Sequence, residues 1–171
     1  MSEIKIPKSR IAVLVGVKGK TKRKIEKLTN TKIEIDSKEG DVEIISDDSI
    51  NIYQTEEIIK AIGRGFNPEI ALLLLNEDIC FELIDLKNII GKSKAKLSRI
   101  KSRLIGTQGK CRKLIEKICK VHICIYGRTV GVIGKIENVH IARAAIRDIL
   151  KGAPHGPVYR TIEERTSEFH E

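Results

Sequence analysis

Gly16-Val17-Lys18-Gly19 is a four-residue turn that recurs ninety positions later as Gly106-Thr107-Gln108-Gly109. Each turn interrupts an apolar, basic stretch and is followed by a helix-like run and then by an alternating strand pattern. The same offset aligns the residues that follow the turns, namely Ile25 with Ile115, Glu26 with Glu116, Lys27 with Lys117, Ile33 with Ile123 and Ile35 with Ile125. A lone G-x-x-G is a weak signal, but two in matched surroundings indicate a duplicated module.

The bulk composition is that of two small domains without a membrane anchor. In a chain of 171 residues the repeat predicts two units, each large enough for a modest core. Aromatic residues make up 4% of the chain and Trp is absent, so the cores must be built from Ile, Leu and Val. The longest apolar run, residues 70–75, is far shorter than the roughly 20 residues that span a bilayer. Residues 1–10 carry charges where a signal peptide is apolar, and we expect a cytoplasmic protein.

The cysteines do not predict a metal site. The chain has 4 Cys and no C-x-x-C pair. Cys119, His122 and Cys124 lie near one another, but a structural zinc needs four well-spaced ligands. Cys111 falls on an apolar helical stripe with Leu114, Ile115 and Ile118, where a free thiol behaves as a small hydrophobe. We expect reduced thiols, no metal and no other cofactor.

The positive charge is concentrated in the second half of the chain. The formal net charge is +9, and residues 1–76 hold 13 Lys and Arg against 12 Asp and Glu. Residues 77–171 hold 19 against 11, and residues 92–120 contain eleven basic residues with Glu116 as the single acid. A solvated helix face needs no such excess of one sign, so the pattern favours a polyanionic partner.

The periodicity predicts an α+β fold in which both halves have the order β-α-α-β-β-α. Helices are expected over residues 9–15, 20–28 and 49–62, and again over 93–105, 110–119 and 138–150. Asp48 or Ser49 is expected to cap the third helix and Asn138 the last one. Phe81 and Leu83 are expected to be the buried residues of a strand over 79–86, with Cys80 as a further candidate.

The predicted boundaries give domain 1 over residues 1–65, an inter-domain helical linker over 66–77, domain 2 over 78–152 and a helical tail over 153–171. Asn67-Pro68-Glu69 is a favourable helix start, with Pro at the first helical position. The tail is acidic, carrying Glu163, Glu164, Glu168 and Glu171. We expect residues 161–171 to form a short surface helix that makes a poor contact for a polyanionic partner.

A helix-G-x-x-G-helix turn brings the end of one helix and the start of the next to a single point. Gly tolerates the tight backbone and keeps no side chain between that backbone and a ligand. The first amides of the second helix have no intrahelical partner and carry its positive dipole end, so an anion binds there readily. Lys18, Lys20 and Lys110 add charge at this point. With a strand edge as the facing wall, the groove suits an unpaired nucleic-acid strand.

Ile-Gly-Thr-Gln-Gly-Lys at 105–110, together with Val121-x-Ile123-x-Ile125, resembles the KH (K-homology) module. The element order resembles its type I form, which implies two tandem type I KH domains. A helix-turn-helix module that uses Gly only as a tight turn would need a recognition helix with base-reading side chains. The two strands and the third helix after each turn argue against that alternative.

Two further segments narrow the resemblance. Gly-Arg-Gly-Phe-Asn-Pro-Glu at 63–69 and Gly-Ala-Pro-His-Gly-Pro-Val-Tyr at 152–159, with paired KH domains over almost the whole chain, resemble the archaeal members of the partner-of-Nob family. The resemblance implies a small-subunit ribosome assembly factor that binds single-stranded rRNA at the 3′ end of that RNA. It also implies contact with the Nob endonuclease and with the alpha subunit of initiation factor two. The first turn is a full G-x-x-G here, whereas eukaryotic relatives tend to have a degenerate first domain.

Domain 2 is predicted to be the principal RNA site because it is basic on both helices beside its turn, whereas residues 30–60 of domain 1 carry nine acids against three bases. Lys92, Lys96, Arg99 and Arg103 are spaced to share a helix face. The candidate RNA contacts of domain 2 are Lys96, Arg99, Lys101, Arg103, Ile105, Gly106, Thr107, Gln108, Gly109, Lys110, Arg112 and Lys113. Those of domain 1, taken as an auxiliary or protein-facing site, are Gly16, Val17, Lys18, Gly19 and Lys20.

Other functional classes remain as alternatives. An enzyme is disfavoured because the four His residues lie far apart and no nucleophile motif or carboxylate cluster is recognisable. A KH scaffold that only binds proteins would have a G-x-x-G turn without adjacent lysines, which Lys110 contradicts. A third alternative is RNA binding in an RNA-decay or transcription complex. We expect a monomeric single-stranded RNA-binding protein that contacts no membrane.

Overall fold

The duplication predicted from the two turns is present in the fold. The computed structural model describes residues 1–170, with side chains as far as Phe169. The chain divides into two compact units, Met1–Glu77 and a second that begins at Asp78. Each unit is an α+β domain with one three-stranded antiparallel sheet, as the sequence predicts. No helix within residues 1–170 is both long enough and apolar enough to cross a membrane.

The first unit has the predicted order of elements. They are β1 (Ser2–Lys5), α1 (Lys8–Val15), α2 (Lys20–Thr29), β2 (Lys32–Asp36), β3 (Asp41–Ile45) and α3 (Ser49–Gly63), followed by α4 (Pro68–Ala71) and a 3-10 turn over Leu72–Leu75. Asp48 caps α3 by accepting a hydrogen bond from the amide of Ile50 at 2.9 Å. Pro68 occupies the first turn of α4, as expected of the Asn-Pro-Glu start.

The first sheet is built by simple alternation. Its strand order is β1-β3-β2, with β3 in the middle. Ile33, Val42 and Ile44 are fully buried against the helices, whereas the residues between them point to the other face. This period of two places an apolar face under α1, α2 and α3 and leaves a charged face outside.

The second unit repeats this plan with two additions. Its elements are β4 (Ile79–Asp85), α5 (Lys87–Ile90), α6 (Lys94–Ile105), α7 (Lys110–Cys119), β5 (His122–Tyr126), β6 (Thr129–Lys135), α8 (Ile136–Leu150) and α9 (His155–His170). The sheet order β4-β6-β5 matches that of the first unit. The short helix α5 was not predicted from the sequence. In the predicted apolar stripe of α7, Cys111 and Ile115 are buried and Leu114 and Ile118 are half-buried, while Cys119, which the stripe did not include, is buried as well.

The predicted burial of Leu83 was wrong. Leu83 is 44% exposed, whereas Ile84 is buried and Cys80 packs against the core. The same face of β4 carries Glu82, which pairs with Arg143 of α8 at 3.5 Å. Phe81 is half-buried. Because β4 has apolar residues on both faces, alternation alone could not fix which face meets the helices.

The predicted cap of the last core helix was also wrong. α8 begins at Ile136, directly after β6, with Lys135 at the N-cap position. Asn138 lies inside the first turn of the helix and is only 2% exposed. No loop separates β6 from α8, so the helix starts two residues before the Asn that the sequence offers as a cap.

The acidic tail is part of the core of the second unit, rather than the short surface helix that we expected. α9 is sixteen residues long and packs against α7 and α8. Val158, Ile162 and Thr166 lie on its inner face and are buried. Their spacing of four residues forms one stripe, and Glu163 and Glu164 fall on the exposed side.

Candidate nucleic-acid interface

The second G-x-x-G sequence folds as a single 3-10 turn, Thr107–Gly109, between α6 and α7. α6 stops because Gly106 has φ 75° and ψ 175°, a region that is essentially restricted to glycine. Gln108 and Gly109 follow in the left-handed region, with φ 55° and 74°. The Gly109 amide donates to the Gly106 carbonyl at 3.2 Å. The turn therefore places the start of α7 beside the end of α6.

The two glycines are required for different reasons. A Cβ at Gly106 would lie 2.8 Å from both the Cβ and the backbone nitrogen of Cys111. A side chain at this position is therefore excluded by a steric clash as well as by the backbone conformation. A Cβ at Gly109 would meet nothing closer than the Lys113 Cε at 3.5 Å. The first glycine is fixed by sterics and by backbone conformation, and the second by backbone conformation alone.

The first turn has the same backbone as the second. Gly16 has φ 75° and ψ 177°, and Lys18 occupies the position of Gln108 with φ 53°. Gly19 has φ 75° and ψ 14°, within one degree of its counterpart Gly109. Both predicted turns are thus formed, and the backbone does not distinguish them.

A glutamate joins the helical wall of each groove to the strand wall. β5 is an edge strand, and the Glu116 Oε1 of α7 accepts a hydrogen bond from the Ile123 amide of β5 at 2.8 Å. Glu26 makes the same bond to the Ile33 amide at 2.8 Å in the first unit. The repeat aligned these two glutamates but did not assign them a role. The sequence signal for such a role was that Glu116 is the single acidic residue in a basic stretch.

Several predicted contacts already have partners in the protein. Arg112 pairs with Glu116 at 2.9 Å, which supports the bond to β5. The Lys101 Nζ donates to the Gly127 carbonyl at 2.9 Å, joining α6 to the turn between β5 and β6. The Lys113 Nζ lies 3.5 Å from the Gln108 carbonyl. Ile105, the last residue of α6, is half-buried.

Arg103 forms a clamp on the end of α8. Its guanidinium donates to the carbonyls of Ile149 at 2.7 Å and Ala153 at 2.8 Å. The Ile149 carbonyl belongs to the last turn of α8, where a helix leaves carbonyls without intrahelical donors, and the Ala153 carbonyl belongs to the segment between α8 and α9. Arg103 faces α9 and fixes the segment that leads into it, so its charge is largely used inside the protein.

Arg10 does the same in the first unit, donating to the carbonyls of Ile62 at 2.8 Å and Phe66 at 2.9 Å. Arg10 lies six residues before its turn and Arg103 three residues before the other, so the two clamps occupy different positions in the repeat.

The remaining basic residues are open to solvent. Lys96, Arg99 and Lys110 are exposed, and their charged groups have no hydrogen-bond or ion-pair partner among residues 1–170. Lys18 and Lys20 are exposed in the same way at the first turn, beside Val17, which is 76% exposed. These cations are available to an anionic ligand.

The start of α9 lies beside the second turn. The His155 Nε2 is 3.0 Å from the Arg103 carbonyl, and the His155 and Tyr159 rings stack with centroids 6.0 Å apart and planes 12° apart. Burial and a hydrogen bond with Cys111 raise the pKa of Tyr159 to about 12. Burial likewise raises the pKa of the Cys119 thiol to about 12, so both groups are neutral at physiological pH. The arrangement can bind an anion and an aromatic ring.

The outer face of the first sheet has the opposite charge. Glu43 on β3 lies directly opposite Glu3 on β1 and Glu34 on β2. Asp36 and Asp41 face each other in a neighbouring pair. Like charges in directly opposed positions destabilise a sheet, and they repel a phosphate chain.

Comparison with protein-family profiles matches both units to KH domains. Residues 80–167 match the profile of the second KH domain of PNO1, which is described as a eukaryotic-type, type I KH domain. Residues 1–64 match the KH domain profile.

Similar proteins and structures come from archaea and eukaryotes. A KH domain-containing protein of Methanocaldococcus jannaschii is 40% identical over 164 residues, which cover 94% of this chain and 71% of that protein. The pre-rRNA-processing protein PNO1 of Coccidioides immitis is 30% identical over 121 residues, which cover 68% of this chain and 48%, about half, of that protein. The crystal structure of a complex of a/eIF2alpha, aDim2p and rRNA from Pyrococcus horikoshii contains a chain with TM-score 0.90 and 44% identity, covering 98% of this chain and 94% of that one.

Proposed function

This chain belongs to the PNO1/Dim2 family of KH-domain proteins, and from that premise we propose that it binds single-stranded rRNA during small ribosomal subunit biogenesis. The observation that carries the proposal is the second turn, where two helix ends, an edge strand and unpaired cations meet. A phosphate sits on the turn, and the bases point into the groove between α7 and β5.

We assign the candidate residues two kinds of role. Direct contacts in the second unit are proposed for Lys96, Arg99, Lys101, Ile105, Gly106, Thr107, Gln108, Gly109, Lys110 and Lys113. Arg103 and Arg112 are positioning residues, because their guanidinium groups are held on carbonyls and on Glu116 respectively. Gly16, Val17, Lys18, Gly19 and Lys20 are proposed as an auxiliary contact.

The RNA is proposed to be the 3′ end region of the small-subunit rRNA, and the protein is proposed to act as a monomeric binding module without catalysis. The alpha subunit of initiation factor two is a proposed partner, supported by the Pyrococcus complex that contains it. The Nob endonuclease is a second proposed partner, supported by the family resemblance. Mixing purified pairs and measuring co-elution tests each one, and separate elution at micromolar concentration would contradict that assignment.

A titration with three RNA ligands at near-physiological salt tests the proposal. The ligands are a single strand copied from the 3′ end of the rRNA, its scrambled version, and the same segment in a duplex. We expect clear preference for the cognate strand, and a loss of at least about tenfold when Thr107 and Gln108 are changed to Asp, since two acids then stand where the phosphate binds.

The control variant changes Thr161 and Ser167 to Asp, which adds the same charge on exposed positions of α9. We expect it to bind nearly as well as the parent chain. Equal, steeply salt-dependent binding to all three ligands would contradict strand recognition and would indicate a general phosphate attractor. Absence of RNA binding would favour the protein-scaffold alternative.

A further inference from the structure

A second cleft lies next to the turn, on the side away from the groove. It has a volume of about 660 Å³ and is bounded by α6, the second turn, the start of α7 and the start of α9. Lys101 reaches toward the β5–β6 turn, whereas Arg99 and Arg103 line the cleft. Residues two apart on a helix point about 200° apart, so the cleft and the groove lie on opposite faces of α6. We call it the α9 cleft.

The lining of the α9 cleft is cationic and lacks acids. Arg99 and Lys110 are exposed and, within residues 1–170, have no ion-pair partner, while Arg103 is engaged with carbonyls. None of the described residues that line the cleft is Asp or Glu. The two cations and the nearby Thr107 hydroxyl can donate hydrogen bonds to the oxygens of a phosphate group.

The far wall of the α9 cleft is built from side chains that other parts of the unit hold in place. His155 lies 3.0 Å from the Arg103 carbonyl and stacks on Tyr159, which lines the cleft together with Cys111. α9 is anchored in the core through buried Val158 and Ile162. A fixed aromatic pair offers the kind of surface on which nucleotides pack.

We propose that the α9 cleft binds a backbone phosphate of the RNA strand beyond the nucleotides in the groove, with Arg99 and Lys110 as its ligands. This rests on the proposed function and extends it. Thr107 and Lys110 belong both to the turn and to the cleft, so a strand that crosses the turn enters the cleft directly. The bound strand is thereby longer than the roughly four nucleotides that one KH groove holds.

RNA length separates the cleft from the groove. One ligand is a four-nucleotide strand that fills the groove, and the other is the same strand with three nucleotides added at each end. We expect Arg99→Gln to weaken binding of the long strand roughly fivefold and to reduce its salt slope by about 0.7, the value for one phosphate contact on a single strand. Binding of the short strand changes by less than about twofold.

The control is Lys94→Gln, which removes one exposed charge from the same helix outside the cleft lining. It is expected to leave both affinities nearly unchanged. In the parent chain, the ring resonances of His155 and Tyr159 are expected to shift with the long strand, but not with the short strand or with inorganic phosphate at equal concentration.

Three results would overturn the proposal. Equal losses of affinity for both strands would mean that Arg99 contacts RNA in the groove or acts only through the overall charge of the protein. No loss for the long strand would remove Arg99 from the RNA path. Matching resonance shifts with inorganic phosphate would reduce the cleft to a simple anion site. The proposed function fails separately, because that failure appears in the parent chain as no preference for the cognate single strand.

Discussion

Gly106 and Gly109 occupy different regions of backbone space, and this difference predicts unequal effects of substitution. Gly106 lies where an L-residue is strongly strained, and its Cβ would collide with Cys111. Gly109 lies in the left-handed region with open space around it. We expect Gly106→Ala to lower the free energy of unfolding of the second unit by about 3–5 kcal/mol and Gly109→Ala by about 1–2 kcal/mol. Denaturant midpoints followed by circular dichroism measure both, and similar losses would contradict this assignment.

Glu116 provides a second test at the level of one residue, because it contacts both Arg112 and the Ile123 amide. Glu116→Gln keeps an acceptor for the amide, so we expect a loss of about 0.5–1 kcal/mol. Glu116→Ala leaves that amide unpaired and should cost about 2 kcal/mol. Hydrogen exchange of the Ile123 amide is expected to speed up markedly in the Ala variant only. Unchanged exchange in both variants would show that Glu116 does not hold β5.

The side chains that position the interface were harder to predict than the turn itself. Of the four residues predicted to share a helix face, Arg99 and Arg103 line the same cleft, whereas Lys92 precedes α6. Spacing cannot show that α9 and the end of α8 occupy that face. Arg10 and Arg103 reach equivalent carbonyls from different positions in the repeat, so the ninety-residue alignment conceals their shared role.

At the scale of elements, α9 is part of the second domain core, and a pair of substitutions in that helix tests this. Ile162 is 2% exposed, whereas Glu164 is exposed on the same helix. We expect Ile162→Ala to cost about 2–5 kcal/mol, because it opens a cavity against α7 and α8. Glu164→Ala should change stability by less than about 0.5 kcal/mol. Thermal unfolding of the two variants measures this difference. A negligible effect of Ile162→Ala would show that α9 is a surface helix and contributes little to the core.

The order of helices and strands could be predicted from the sequence. The inward face of a strand and the burial of the last helix were predicted less well. Turn chemistry and apolar spacing are local, so α6, α7 and the strands after them could be predicted. The inward face of β4 depends on which side α8 packs, as the exposed Leu83 shows. The burial of α9 depends on contacts with distant parts of the unit. The sequence prediction considered the acidic residues of this helix and overlooked the stripe formed by Val158, Ile162 and Thr166.

At the scale of the molecule, the duplication preserved the backbone of the turn and changed its electrostatic surroundings. The φ values of the two turns agree within two degrees at the two glycines and at the residue before the second glycine. The first unit, however, presents opposed carboxylates at Glu3, Glu34 and Glu43 on the face of its sheet that points away from the helices. Differences in RNA affinity between the units must therefore arise from the side chains and from the electrostatic potential that they produce.

The two turns are expected to respond unequally to the introduction of acidic residues. Changing Thr107 and Gln108 to Asp should weaken binding of the cognate strand at least about tenfold more than changing Val17 and Lys18 to Asp. The comparison is conservative, because the Val17 and Lys18 pair also removes a lysine and so alters the net charge by more. If charge alone governed binding, that pair would be the more harmful one. Parallel titrations at two salt concentrations measure this difference, and equal losses would mean that the first domain binds RNA as strongly as the second.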